Sequence, residues 1–373
     1  VISTFFMASS RLPPRDPEFK AGFDGGRYNP GMRRRTRLGI VIAVLLLIAG
    51  IGAYTAFWFI VAGKIEDGLK EWAQSARDQK IETSWRGLRV GGFPFAFRVE
   101  LTEAALRDEA ISPAAEIRMP LLSASTHPWS FRVWHLTAPQ GLNVAAGTEE
   151  KPVAKLAARA ARGAVSAASE GGATIWLSLD EARFAAGEEV GARDAHFWLI
   201  LPSRPPETHT ENNLAVAADL REATVPQAPS PFRNLVDELA FGITVKGAIA
   251  PGPARQAAAA WRDSGGTAEL DNFALRWAKL AITGSGTLAL DADLQPIGGF
   301  SGAVEGYDEL MSALVAAGGM KPSDARLARI ALAMLAKAGP DGRPAIATSF
   351  TIQNGQMFLG PAKLGPAPKI PWD

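Results

Sequence analysis

The hydrophobic pattern divides the chain into three regimes. Leu38 to Gly63, LGIVIAVLLLIAGIGAYTAFWFIVAG, carries no charged residue across 26 positions. A helix crossing a bilayer core needs about 20 apolar residues, and in lipid a lone strand or loop would leave its backbone polar groups unpaired. The run therefore predicts a transmembrane helix over 38–63. From Lys64 to Lys80 the apolar positions Ile65, Leu69, Trp72, Ala73 and Ala76 recur at helical spacing, with Glu66, Lys70, Arg77 and Asp78 opposite. That spacing predicts a stalk over 64–80 that continues the membrane helix outward. Beyond it the period falls to two.

Alternation is strongest in FPFAFRVEL, where Phe93, Phe95, Phe97, Val99 and Leu101 share one face and Ala96, Arg98 and Glu100 the other. This predicts a strand over 93–101, joined through Gly91-Gly92 to one over 83–90. Strand patterns recur over 116–125, 130–137, 173–184, 196–201, 214–223 and 241–250, while the alanine-rich 153–168 reads equally as strand or helix. The proline-rich 226–231 predicts a boundary between a first β-rich half, 81–225, and a second, 232–373. A short helix fits 255–262. The second half adds strands over 269–277, 279–291 and 298–305, helices over 307–317 and 323–338, and a hairpin turning on Asn354-Gly355. Trp372 is expected to pack back onto the domain. The fold class that follows is mainly β (α+β): an N-terminal transmembrane helix followed by a large antiparallel, curved β-sheet with a few helices.

Charge adds direction. Residues 1–37 hold eight Arg/Lys against three Asp/Glu, a local +5, and the remainder carries −4. Arg33, Arg34, Arg35 and Arg37 stand immediately before the apolar run. The positive-inside rule places residues 1–37, a proline- and glycine-containing arm expected to be disordered, in the cytoplasm. Everything after the run is then outside, in the periplasm of a bacterial inner-membrane protein. Met7 is a candidate initiator, with Val1–Phe6 ahead of it. The competing reading is a cleaved leader, but leader apolar regions run about 7–15 residues. The small residues Ala49/Ala53 and Gly52/Ala56 have the spacing that lets helices pack closely.

The chain has no cysteine, which excludes disulfides, thiol catalysis and thiolate metal sites. Its exterior part has no nucleic-acid-binding signature. Of the four histidines, His127 precedes Pro128 in a turn, His135 and His196 fall in apolar strands as packed residues, and His209 alternates with Glu207 and Glu211 in a proline-flanked polar loop. No further ligand cluster accompanies that trio, so a solvated loop is the expectation. Gly284 to Ala289 matches a degenerate G-x-G-x-x-A, but strand alternation runs through it, whereas a dinucleotide fingerprint must open a helix. Asp291 and Asp293 read as a strand end. No nucleophile–base pair is recognisable. The expectation is a protein that is not an enzyme and has neither cofactor nor metal. Its remaining candidates are apolar: Phe93, Phe95, Phe97, Trp129, Phe131, Val133 and Trp176, which either line a lipid groove or form an ordinary core.

Three blocks carry a resemblance: WRGLRVGGFPFAFRVEL from Trp85, GSGTLALDADLQPIGGFSGAVEGYDEL from Gly284, and SFTIQNGQMFLGPAKLGPAPKIPW from Ser349. With the apolar run ahead of them, they resemble the bacterial domain of unknown function 2125 family (DUF2125), which implies no established activity. More loosely, Gly286, Leu288, Leu290, Asp291, Leu294, Pro296 and Gly298 are similar to the strand pairs of AsmA-like envelope proteins. That similarity implies a bent sheet with an apolar groove and a link to lipid traffic, with membrane lipid as anchor and ligand. A membrane-tethered scaffold with an envelope protein partner is the alternative.

Overall fold

The computed structural model describes residues 30–110, 113–148, 152–168, 171–338, 343–360 and 362–372. The expectations for residues 1–29, Met7 included, lie outside the described residues. The chain divides into two compact units, 1–56 and 57–373. Helix α1 (Pro30–Asp78) takes in the predicted membrane segment and the predicted stalk without a break. It also takes in 30–37, which the sequence suggested were part of a disordered arm. Arginine is a good helix former, and four of these eight residues are arginines. From Leu38 to Asp78 this is the one helix among the described residues long and apolar enough to cross a membrane.

The second unit is built on one antiparallel sheet. Its first strands are β1 (Ile81–Ser84), β2 (Gly87–Gly91), β3 (Phe97–Asp108), β4 (Ala115–His127), β5 (Ser130–Ala138), β6 (Leu142–Gly147), β7 (Pro152–Ala158) and β8 (Ala160–Ala167). Then come β9 (Ala173–Ala186), β10 (Glu188–Leu201), β11 (Asn212–Thr224), β12 (Leu235–Lys246), helix α2 (Ala254–Asp263), β13 (Thr267–Trp277), β14 (Leu280–Leu290) and β15 (Pro296–Glu305). The chain closes with α3 (Tyr307–Ala316), α4 (Pro322–Leu335), β16 (Lys337–Ala338), β17 (Pro344–Gln353), β18 (Gln356–Leu359) and β19 (Ala362–Pro366).

Pairing follows the chain. β1 and β2 lie end to end along β3, which pairs with β4. β5 and β6 together cover β4, while β8 pairs with β5 and β7 with β6; both then pair with β9. From β9 to β15 each strand pairs with the next, and β17 to β19 extend the same edge. The ambiguous 153–168 is two strands, broken at Arg159. The loop over 226–231 is no boundary between halves: it joins the adjacent antiparallel strands β11 and β12, and 57–373 is one compact unit.

Register makes the sheet amphipathic. Ile175, Leu199, Val216, Ile243, Leu270, Gly286, Phe300 and Phe350 form one cross-strand row from β9 to β17. Leu179, Ala195, Leu220, Leu239, Leu275, Ile282, Val304 and Ile346 form another, on the same face. The opposite face carries Asp194, Arg221, Glu238 and Arg276 in register, and Thr283, Ser285 and Thr287 along β14. Antiparallel sheets tolerate this division because one face can remain wet.

Three strands carry the same four-residue pattern, L-x-E-A, at Leu101–Ala104, Leu179–Ala182 and Leu220–Ala223. In each the glutamate adopts left-handed backbone, with φ of 50° at Glu103, 51° at Glu181 and 48° at Glu222. The glutamate and its opposite number drop out of the ladder, and the register resumes unchanged. The flanking Leu and Ala then share a face: Leu179 and Ala182 are buried in one cluster, and Leu101 and Ala104 in another. Each glutamate meets an arginine: Arg86 at 2.6 Å from Glu103, Arg159 at 2.8 Å from Glu181, and Arg193 against Glu222. A hydrogen bond from Arg193 to Asp194, then the Glu222 charge, raise the arginine pKa above its ordinary value. These ion pairs are exposed and contribute little; the backbone irregularity is what lets buried residues recur three apart. Left-handed backbone costs a residue with a Cβ roughly 1–2 kcal/mol, and β-branching makes it worse. Glu181 already bears that cost, so Glu181→Val is expected to lower stability only by the further increment that branching adds, whereas Glu181→Gly, which removes the cost, is expected to leave stability at or above wild type, both read by thermal unfolding of the full chain in detergent.

Candidate functional site

Two apolar features stand out, and both sit on the face formed by the rows above. The first is an aromatic end. Phe97 opens β3, 0% exposed, and its ring stacks on Trp58 of α1 at 5.2 Å. Trp58 is 3% exposed and donates its indole N–H to the Ala96 carbonyl at 3.1 Å. Phe93 meets Trp58 edge-on at 5.5 Å and stacks on Phe59 at 5.9 Å, while Phe131 stacks on the other side of Phe97 at 5.5 Å. Ile65 and Leu69, the stripe read from the sequence, pack on Val99, Leu101 and Ala104 of β3. The α1 helix is therefore held against the first hairpin over more than two turns.

Two loops close this end. One is 92–96, between β2 and β3; the other is 128–129, between β4 and β5. They are tied together, since His127 places Nδ1 3.1 Å from the Phe95 carbonyl and stacks on Trp129 with ring centres 5.0 Å apart. Gly92 permits the first loop: its φ is +98°, and a Cβ there would lie 2.6 Å from the Ala96 carbonyl oxygen.

The second feature is the middle of the sheet. The row from Ile175 to Phe350 is half-buried throughout. Helices pack beside it, not on it. Trp261 and Ala258 of α2 pack on Val245, Ala268 and Leu290, while Ala313 and Leu310 of α3, with Phe232, pack on Leu275, Leu280, Ile282 and Val304. These helices reach only β12 to β15, whereas the half-buried row from Ile175 to Phe350 runs on as a shallow trough across eight strands. At about 4.8 Å per strand its length is roughly 33 Å. At the α2 margin a cavity of about 390 Å³ is lined by Val245, Ile249, Ala258, Trp261, Leu290 and Trp372. Trp372 does pack back, donating its indole N–H to the Leu294 carbonyl at 2.9 Å. Phe300 lies over Gly286, where a Cβ would come within 2.4 Å of the ring.

The seven candidates read from the sequence do not form one lining. Phe93 and Phe95 are loop residues and not strand residues, because Pro94 has no N–H for the ladder and the strand begins at Phe97. Phe93, Phe95, Phe97, Trp129 and Phe131 gather at the aromatic end. Trp176 and Val133 are on the opposite, polar face: Trp176 pairs with Ala164, which pairs with His135, two residues from Val133. Hairpin register decides this, and alternation within one strand cannot say which of its two faces is inward. The residues missed are the trough rows themselves. Their signal was present as alternation in 214–220 and 239–245, without a reference face.

The remaining chemistry-bearing motifs resolve into structure. Asp291 accepts the backbone N–H groups of Asp293 at 2.9 Å and Gln295 at 2.8 Å, so it is a turn former. Gly284 to Ala289 lies within β14. Glu211 caps the Glu207 N–H at 3.0 Å in the polar loop. His135 is exposed, and not packed as expected, because it too faces the polar side; His196, beside Asp219 on that side, is half-buried. Arg107, Glu116 and Arg118 line a second cavity of about 290 Å³ and are ion-paired, with Arg118 at 2.6 Å and Arg107 at 3.9 Å from Glu116 and Arg107 also 3.1 Å from Glu109. No group of three or more potential metal-ligating side chains occurs among the described residues.

A long antiparallel sheet with one apolar face, preceded by a helix able to cross a membrane, defines the class of protein. Within it, the chain belongs to the bacterial family described as "Uncharacterized protein conserved in bacteria (DUF2125)", whose family model matches residues 58–368. No curated protein and no solved structure matches the chain.

The Trp58–Phe97 stack is the anchor point between helix and sheet. Phe97→Ala is expected to cost about 3–5 kcal/mol, seen as a lower melting temperature and as new protease cleavage within 92–96.

Proposed function

We propose that this protein is a non-enzymatic envelope protein that holds lipid acyl chains along the apolar trough of its sheet. It is anchored in the bacterial inner membrane by α1, with the arm in the cytoplasm and the sheet in the periplasm. The arginines before Leu38 support that topology. The trough carries the reading: a half-buried apolar row roughly 33 Å long, with α2 and α3 packed beside its central strands, suits a flexible hydrocarbon chain. Each apolar Å² taken from water contributes about 25 cal/mol, so even one chain along part of the trough is held appreciably. The open cavity beside α2 extends the apolar lining at one side of the row.

Neighbouring residues on β11 provide the test. Val216 lies in the trough and Ala217 on the opposite face. Native mass spectrometry of the full chain released from detergent is expected to show bound lipid for wild type and for Ala217→Lys. Val216→Lys should lose most of it at an unchanged melting temperature. Lipid-free wild type in repeated preparations would sink the proposal. A reproducible protein partner instead of lipid, found by crosslinking in cells, would favour a tethered scaffold.

A further inference from the structure

We infer that the two loops at the aromatic end dip into the same bilayer that α1 crosses, and that they do so on a leaflet bearing anionic headgroups. The argument begins with depth. The uncharged run starts at Leu38, and about 20 helical residues traverse the hydrocarbon. The run therefore leaves the apolar core close to Trp58 and Phe59, and the first charge after it is Lys64. Phe93 and Phe97 pack directly on those two aromatic residues. The hairpin tip is consequently at the level of the membrane–water boundary.

The residues at that level have the chemistry of the boundary. Phe95 is 71% exposed, Trp129 68%, Phe93 47% and Phe131 43%. Three large aromatics on two adjacent loops, with Phe131 at the start of β5, form a patch that water solvates poorly, whereas Trp and Phe are favoured at the headgroup–acyl boundary. The loops are rigidly joined through His127, so they enter or leave as one body. Arg89, Arg98 and Arg132, on the strands that run from these loops, are all exposed, and the facing carboxylate is Glu100, opposite Arg89 and on the same face as Arg98. Exposed aromatics accompanied by three arginines against one glutamate match an interfacial site that takes anionic lipid. A second copy of the chain or another protein would gain no benefit from the coincidence of depth with the end of the apolar run.

This inference rests on α1 spanning a bilayer and is independent of acyl chains in the trough. The absence of cysteine makes it directly testable. Phe95→Cys and Trp129→Cys are each labelled with an environment-sensitive fluorophore. The full chain is reconstituted into vesicles of phosphatidylcholine and phosphatidylglycerol containing doxyl lipid. Leu47→Cys reports whether the span is embedded, and Ser285→Cys, on the polar face, gives the aqueous reference. The expected result is blue-shifted emission with strong doxyl quenching at 95 and 129, and a weaker response when phosphatidylglycerol is left out. Emission matching that at 285, while 47 is quenched, would overturn the inference. So would a blue shift without quenching, because that means protein, and not lipid, covers the tips. Quenching unchanged without phosphatidylglycerol would remove the arginines from the site.

Discussion

Side chains in a strand alternate faces, so a slip of one residue between any two neighbours would turn a whole apolar row into water. The sheet depends on that constraint. Most long strands pair with their neighbour in sequence, some across a short turn, as at β9–β10, β13–β14 and β14–β15, and others across α2 or α3 and α4, and eight strands share one common apolar face. The L-x-E-A sites show how the constraint is handled where alternation has to break. A left-handed glutamate and an opposing residue leave the ladder together, and the register continues on both strands. Strain confined to one residue keeps the rows intact on either side.

The same face serves two ends in different ways. At the margins near α2 and α3 it is closed by helices and becomes ordinary core. Over β3 it receives α1, and the Trp58–Phe97 stack joins the end of the apolar run to the start of the sheet. Between these places it stays half-open. A sheet of this length with one amphipathic helix against each apolar segment would be a plain two-layer fold. The helices that follow α1 among the described residues are too few and too short for that, and the half-buried row is what they leave uncovered.

Much of the secondary structure was legible. The hairpin at Asn354-Gly355, the helices after Glu305 and the stripe from Ile65 to Ala76 follow from turn chemistry and period, which are local properties. The first hairpin was misplaced because alternation in Phe93, Phe95 and Phe97 continues through Pro94, and a proline interrupts the ladder without interrupting the pattern. The candidate site was legible as residue types and not as a surface. Phe97 and Trp176 were grouped as aromatic strand residues, yet cross-strand pairing puts them on opposite faces.

By itself, then, the sequence determined a helix able to cross a membrane, an antiparallel β-rich remainder and membership of a family, since hydrophobic period and length act over a few residues at a time. Only the tertiary structure decided which alternating positions share a face, where helices leave that face open, and that the Phe93–Phe95 and Trp129 loops meet the end of the apolar run. Those are relations between residues from about 35 to more than 170 positions apart. They are set by accumulated register and by packing against α1, and no local pattern records either.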